Sequence, residues 1–504
     1  MRQKKAMINS IVNLVTFMAI FLPNLIVRKV FLDTLGEDLL GLNSLYTNII
    51  GWLSIVELGV GTAIIFSLYK PFADNDYPRV RAYLKFYQKF YVTVGFAVLI
   101  VGLLLTPFLQ VFLENQSIDM TLVRVGFVLY LVNSFITYLF SSRLCILNVA
   151  QEGYKVSIGT TSAKLLIFIT QLIILKIYPN FLLFSGVQII INLLFYFIIN
   201  RYILNYFPWI KAGNEELEDA ERKNLLVVVK AMFMHKFGSL IVFSTDNLVI
   251  SKFVGLASLA QYTNYQTVTL AVEKLVSTAM QGITSSIGNM LTECDSDHAS
   301  KIHNKIFFLN FWITSFITIS LYNTLDQFVG LWVGEEYILD NLTFIVLLIN
   351  FYFVLMRGSV ERFKEASGNY VQDRYAPLAE GLINLISSLI LVKHIGLAGV
   401  FVGTMISNFT VLFWVQPYIV YKYVFQEKVI NYFKMYFTYA ALMIALICIT
   451  HYLTIPFKYN YTILSFLINC FINITVVNSV YLLLFRNKDE LNYFINIIKR
   501  VLKK

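Results

Sequence analysis

The sequence predicts an all-α polytopic membrane protein of about fourteen transmembrane helices, and three observations carry that prediction. Only 14% of the 504 residues are charged while 58% are hydrophobic; a soluble protein carries roughly 25% charged residues, because it must wet its own surface. Mean hydropathy is +0.68, so lipid must solvate most of the exterior. Apolar runs long enough to cross about 30 Å of hydrocarbon as helices recur from end to end, and no loop between them is long enough for a separate soluble domain.

The runs fall at 9–32, 43–69, 86–113, 120–147, 157–177, 181–207, 226–254, 258–290, 305–329, 338–358, 376–395, 398–424, 433–455 and 460–485. The first follows Met1-Arg2-Gln3-Lys4-Lys5 and precedes no small-residue cleavage site, so it reads as a first span and not a removed signal peptide. The longest connections are 208–225, 359–375 and 70–85. Orientation comes from the basic residues, which favour the cytoplasmic side. With the N-terminus inside, 29 of the 40 Lys and Arg are cytoplasmic, 7 lie outside and 4 lie within spans. Loops 114–119 and 330–340 carry Glu114, Asp119, Glu335, Glu336 and Asp340 and no Lys or Arg, as outer loops should. An even span count then puts both termini in the cytoplasm.

The chain also repeats itself. Shifted by 219 residues, Leu35–Gly41 lies over Val254–Ala260 and Tyr46 over Tyr265; shifted by 216, Ala150, Tyr154, Ala163 and Leu166 fall on Ala366, Tyr370, Ala379 and Leu382. Two nearly equal offsets at separate places predict two six-helix lobes of the same topology, related by a pseudo-twofold along the membrane normal. The lobes are 1–207 and 226–424, joined by a cytoplasmic linker at 208–225; spans 13 and 14 (425–485) are extra. In the tail 486–504, Leu491, Phe494, Ile495, Ile498, Val501 and Leu502 share one helical face and Lys499, Arg500, Lys503 and Lys504 cluster at its end. That pattern predicts an amphipathic helix on the inner leaflet.

Several chemistries are absent. There is no phosphate-binding Gly-x-x-x-x-Gly-Lys loop, no His-Glu-x-x-His and no Gly-x-Ser-x-Gly. Cys145, Cys294, Cys448 and Cys470 are scattered, with neither a disulfide framework nor metal spacing. Asp74-Asn-Asp76 and Asp295-Ser-Asp297 resemble the Asp-x-Asp of glycosyltransferases, but each sits in a short loop and reads as solvated carboxylates; His298 and His303 read the same way. Nothing here makes a credible covalent catalyst, and no nucleic-acid partner, enzymatic activity or bound cofactor is expected.

Ionisable residues inside spans are costly and normally face a cavity or a partner. Glu57 lies near the middle of span 2, and Glu273 and Lys274 near the middle of span 8; the repeat places Glu57 within a helical turn of Glu273. Lys164 of span 5 falls on Glu380 of span 11. His235, Lys236 and Asp246 lie along span 7, and Arg28 follows Pro23 toward the outer end of span 1. Candidate cavity residues are therefore Arg28, Glu57, Lys164, Lys236, Asp246, Glu273, Lys274 and Glu380. Arg28, Arg143, Arg357 and Arg362 are also close enough to span ends to snorkel. Tyr262, Tyr265 and Tyr352 are the rings placed to stack on sugar; the other aromatics read as lipid belt and packing.

On these residues the chain resembles the polysaccharide-unit (Wzx-type) flippases of the multidrug/oligosaccharidyl-lipid/polysaccharide exporter superfamily. The resemblance runs along essentially the whole chain and is sharpest in Ser244–Gly255, Ser285–Asn289, Gln372–Tyr375, Leu42–Tyr46 and Glu57–Gly61. It implies two lobes around a central cavity, two trailing helices and alternating access. Its substrate class is a polyprenyl-diphosphate-linked oligosaccharide moved from the inner to the outer leaflet for capsule or O-antigen-like surface polysaccharide. Glycosyltransferases and a polymerase of the same pathway are the implied partners beside membrane lipid. Arg28, Lys164, Lys236 and Lys274 are candidates for the diphosphate, and Glu57 and Asp246 for a coupled proton or Na⁺. Two other readings stand beside this one: a cation-coupled drug or metabolite antiporter on the same fold, for which excess carboxylate is expected, and a membrane glycan polymerase, for which a long outer loop is expected.

Overall fold

In the computed structural model the described residues are 2–57, 60–113, 118–211, 215–219, 221–223, 225, 229, 245–293, 295–369, 372–373, 375–458 and 460–502. Among them the protein is all-helical, and ten helices are long and apolar enough to cross a membrane. Leu194, Phe197 and Ile198 in one helix, and Leu464, Phe471 and Leu483 in another, are exposed, an apolar exterior that only lipid can solvate. The chain is a multi-pass membrane protein.

It divides into two compact units, Met1–Ala260 and Gln261–Lys504. The first begins with α1 (Arg2–Leu35), α2 (Glu37–Leu53) and α3 (Val60–Ala73), the latter two separated by a short 3-10 stretch at Ser54–Glu57. There follow α4 (Tyr77–Leu105), α5 (Met120–Phe140), the short α6 (Cys145–Val149), α7 (Gly153–Ile177) and α8 (Phe181–Tyr206). Helix α1 packs along α7, and α5 packs against both α4 and α8. The expected span 7 lies mostly outside the described residues; of it only 229 and 245–254 are described, and 245–253 is helix.

The second unit follows from the long helix α9 (Leu256–Glu293), whose first turn belongs to the first unit. It comprises α10 (Ser296–Trp332), α11 (Asn341–Met356), α12 (Gly358–Ser367), α13 (Ala376–Thr410), α14 (Leu412–Ile419), α15 (Ile430–Lys458), α16 (Ile463–Phe485) and α17 (Asp489–Leu502). The expected spans 11 and 12 meet within α13 at a sharp reversal, where Gly396 has φ 57°. That left-handed conformation suits glycine, which has no Cβ to clash. Just beyond, a Cβ at Gly399 would stand 2.6 Å from the Val392 nitrogen, and one at Gly403 would stand 2.6 Å from the Ser388 nitrogen. The two limbs pack backbone to backbone there, and only glycine permits it.

The trailing helices α15 and α16 are fastened to α10 by buried amides. Asn323 donates to Thr450 Oγ1 at 2.9 Å and to Asn473 Oδ1 at 2.7 Å, and Asn469 donates to Gln327 Oε1 at 2.9 Å. Packing in lipid lacks a hydrophobic drive between helices, so such polar contacts help set which helices pair.

Several loop expectations change. Helices α3 and α4 leave only 74–76 between them, α12 occupies most of the expected loop 359–375, and α10 starts at Ser296. Hydropathy marks the lipid-facing part of a helix, whereas the helix runs on into headgroups and solvent: the 37 residues of α10 span about 55 Å at 1.5 Å per residue. Two of the four loop aspartates are helix caps: Asp76 accepts from the Arg79 amide at 3.1 Å and Asp295 from the His298 amide at 3.0 Å, satisfying otherwise unpaired first-turn donors. His303 is a correction. It is fully buried inside α10 among Phe307, Phe363, Phe425 and Tyr432, because the helical register turns it inward. The tail is helical as expected, but Leu491, Phe494 and Ile495 pack on the core of the second unit, so that stretch of the apolar face covers protein and not the leaflet.

The linker is tied down by charge. Arg79 pairs with Glu221, Arg81 with Glu215, and Lys85 with Glu216 at 3.0 Å. Hydrogen bonding from Arg81 holds the Glu215 carboxyl well below its usual range, to about 2. A lowered carboxylate pKa stabilises above the unfolded value and is lost only as pH falls through about 2, so this clamp stays closed at neutral pH.

Candidate functional site

The first unit encloses a cavity of about 490 Å³ walled by five helices. Asn24 and Arg28 come from α1, Asn43 and Thr47 from α2, Tyr130 and Asn133 from α5, Lys164 and Gln171 from α7, and Gln188 and Asn192 from α8. Each pair is three, four or seven residues apart, which puts both members on one helix face. Valine, leucine, isoleucine and phenylalanine complete the lining: Ile20, Val27, Phe31, Leu40, Ile167, Phe168 and Phe184. Among the described residues, two cations and no carboxylate face this space.

The wall is pre-ordered by hydrogen bonds. Asn192 Nδ2 donates to Asn133 Oδ1 at 2.8 Å, joining α8 to α5. The Tyr130 hydroxyl donates to Asn43 Oδ1, joining α5 to α2. Gln171 Nε2 donates to the Phe184 carbonyl at 3.0 Å, joining α7 to α8. Arg28 Nη2 donates to the Ala260 carbonyl at 3.4 Å, so its guanidinium is held toward the C-terminal end of α1. Lys164 is exposed to the cavity and makes no ion pair among the described residues.

Of the eight residues singled out from sequence, the structure brings Arg28 and Lys164 to this one cavity. Glu57 lies on the 3-10 stretch after α2, where the hydroxyls of Tyr91 and Tyr138 bond to it. Asp246 is buried beside Asn247, which donates to Asn48 Oδ1 at 3.0 Å. In the second unit the charge of Arg357 acts on both Glu273 and Glu380, and Arg357 Nη1 donates to Asn408 Oδ1 at 3.1 Å. Arg357 therefore turns inward to partners rather than snorkelling. Arg362 is likewise buried and paired with Glu365 at 2.7 Å. Lys274 is exposed, and Lys236 lies outside the described residues. Tyr265 and Tyr352 are buried, Tyr265 donating to Asp326 at 2.7 Å, so both rings serve packing; Tyr262 leans on Phe401 with centroids 4.6 Å apart.

The cavity's amides went unremarked in sequence because only charges were weighed. Their signal was present as polar pairs within apolar runs, Asn24/Arg28, Asn43/Thr47 and Gln188/Asn192, each four apart.

The architecture is that of known membrane transporters. A structure titled "Lipid II flippase MurJ, inward closed conformation" superposes with a TM-score of 0.74 at 15% identity, covering 95% of this chain and 99% of that one. An inward-facing multidrug resistance MATE family transporter of the MOP superfamily superposes with a TM-score of 0.60 at 16% identity, covering 80% and 95% of the two chains. A point mutant of the Vibrio cholerae MATE transporter VcmN gives 0.57 at 12% identity with 85% and 98% covered. At these identities the likeness establishes the fold. No protein-family description matches the chain, and no curated protein does.

Proposed function

We propose that this chain is a flippase that carries a polyprenyl-diphosphate-linked oligosaccharide from the inner to the outer leaflet of the bacterial cytoplasmic membrane, for surface polysaccharide assembly. The observation that carries the reading is the cavity of the first unit, where Arg28 and Lys164 stand among amides with no carboxylate among the described lining residues. A diphosphate and its sugars cannot enter hydrocarbon without losing hydration; cations and amides replace that hydration. A site for cationic drugs would need the opposite balance, which weighs against the antiporter reading. The fold shared with a lipid II flippase supports the same conclusion.

In this scheme lobes 1–207 and 226–424 alternate access on either side of the linker, and 425–485 trails. Outward movement of an anion from a negative interior is favourable by about 2.3 kcal/mol per charge per 100 mV, so membrane potential contributes without nucleotide. Glu57 and Asp246 are the carboxylates available to a counter-moving proton or Na⁺. Glycosyltransferases supply the substrate and a polymerase consumes it.

Deleting the gene in a producing cell tests the function. Lipid-linked saccharide is expected to accumulate on the inner leaflet with loss of surface glycan, and an unchanged leaflet distribution overturns the reading. Topology is checked by single-cysteine labelling of intact cells at Asn115→Cys, expected to react from outside, and Asn214→Cys, expected not to. Equal labelling of the two would refute the orientation.

A further inference from the structure

We infer that the amide wall of this cavity reads the sugar next to the diphosphate, with Asn43, Asn133, Gln188 and Asn192 as specificity-determining residues. The inference rests on the flippase reading and adds to it which part of the substrate each wall receives.

The argument begins with donors and acceptors. A phosphate only accepts, so a site built for it alone offers N–H groups and cations. A sugar hydroxyl donates and accepts at once, so its site must offer both. Because Asn192 Nδ2 donates to Asn133 Oδ1, Asn133 keeps its own Nδ2 as a donor and Asn192 keeps Oδ1 as an acceptor. Because the Tyr130 hydroxyl donates to Asn43 Oδ1, Asn43 keeps Nδ2 as a donor. Gln171, whose Nε2 is engaged by the Phe184 carbonyl, keeps Oε1 as an acceptor. The wall thus presents fixed donors and fixed acceptors together, beside two cations that serve the anionic part.

Space agrees with this division. A cavity of about 490 Å³ falls in the range of about 300–1,000 Å³ typical of organic-ligand sites, more than a bare diphosphate needs. Amides in membrane helices also act as glue between helices, and Asn133 with Asn192 does join α5 to α8. Glue, however, has no reason to distinguish a glycan-bearing lipid from a bare one, and that distinction is the readout.

The full-length protein in nanodiscs is titrated with two probes: polyprenyl diphosphate, and the lipid-linked saccharide extracted from cells lacking the transporter. Wild-type protein is expected to bind the saccharide lipid more tightly. In Asn133→Leu/Asn192→Leu, affinity for the saccharide lipid should fall about tenfold, as loss of two hydrogen bonds implies, while affinity for polyprenyl diphosphate stays the same. Gln188→Leu, which leaves the Asn133–Asn192 pair intact but loses the bond between Gln188 and the Tyr130 hydroxyl, should lower saccharide-lipid affinity while affinity for polyprenyl diphosphate stays the same, and it decides the matter if the double variant does not fold. Variants that keep the wild-type preference for the saccharide lipid overturn the sugar wall and leave the flippase reading standing. Failure of wild-type protein to bind either lipid overturns the flippase reading itself.

Discussion

Lys164→Gln is expected to reduce surface-glycan export by about tenfold or more, with protein level and membrane insertion unchanged. A charge-assisted hydrogen bond is typically worth about 1.5–3 kcal/mol, against about 1 kcal/mol for a neutral one, and glutamine keeps length and polarity while removing the charge. Lys164 lines the cavity of the first unit, exposed within it and without an ion-pair partner among the described residues. Its removal therefore leaves no buried carboxylate behind, and the fold should tolerate the change. Arg28→Gln should act in the same direction, though it also loses the contact to the Ala260 carbonyl. Arg28→Lys is expected to recover only part of the loss, since lysine cannot bind a phosphate through two parallel donors. The measurement is surface glycan per cell, together with lipid-linked saccharide retained on the inner leaflet. Full export by both glutamine variants, each expressed normally, would make these cations structural and remove the basis of the proposed diphosphate site.

How far the sequence reached is visible in particular residues. The helical runs were legible because lipid demands about twenty apolar residues per crossing, and the expected spans that fall on described residues are helical over most of their length. Where the helices end was not legible. The polar turns of α10 and α12 continue helical geometry past the apolar runs, and hydropathy is blind to them. Partners across helices were hidden as well. Arg357 looked like a snorkelling residue at a span end, yet its partner Asn408 lies 51 residues away in sequence. His303 looked like a solvated loop residue, yet its neighbours Tyr421, Phe425 and Tyr432 come from beyond α13. Arg28 and Lys164 were found because charge in an apolar run is conspicuous. The amides that complete their cavity were not, because a neutral amide costs less to bury and stands out less.

The buried pair Lys364–Asp373 is expected to show the largest single effect on stability. Helix α12 ends at Gly368, whose left-handed φ of 70° turns the chain back so that Asp373 meets Lys364. Their relative exposures are 8% and 4%, so neither charge is hydrated enough to stand alone. Removing one partner of such a pair typically costs about 3–5 kcal/mol, because the other is left charged in a poorly solvating interior. Lys364→Met should therefore lower the melting temperature of the detergent-solubilised protein by about 3–5 °C. Removing both charges is a different experiment. Replacing a whole buried pair with apolar side chains is often neutral, so Lys364→Met/Asp373→Leu should recover most of the loss. The double-mutant cycle separates the cost of an orphaned charge from the worth of the pair. Lys364→Met melting with the wild-type protein would mean that Asp373 is satisfied without Lys364, and that the turn after α12 is held by the backbone alone.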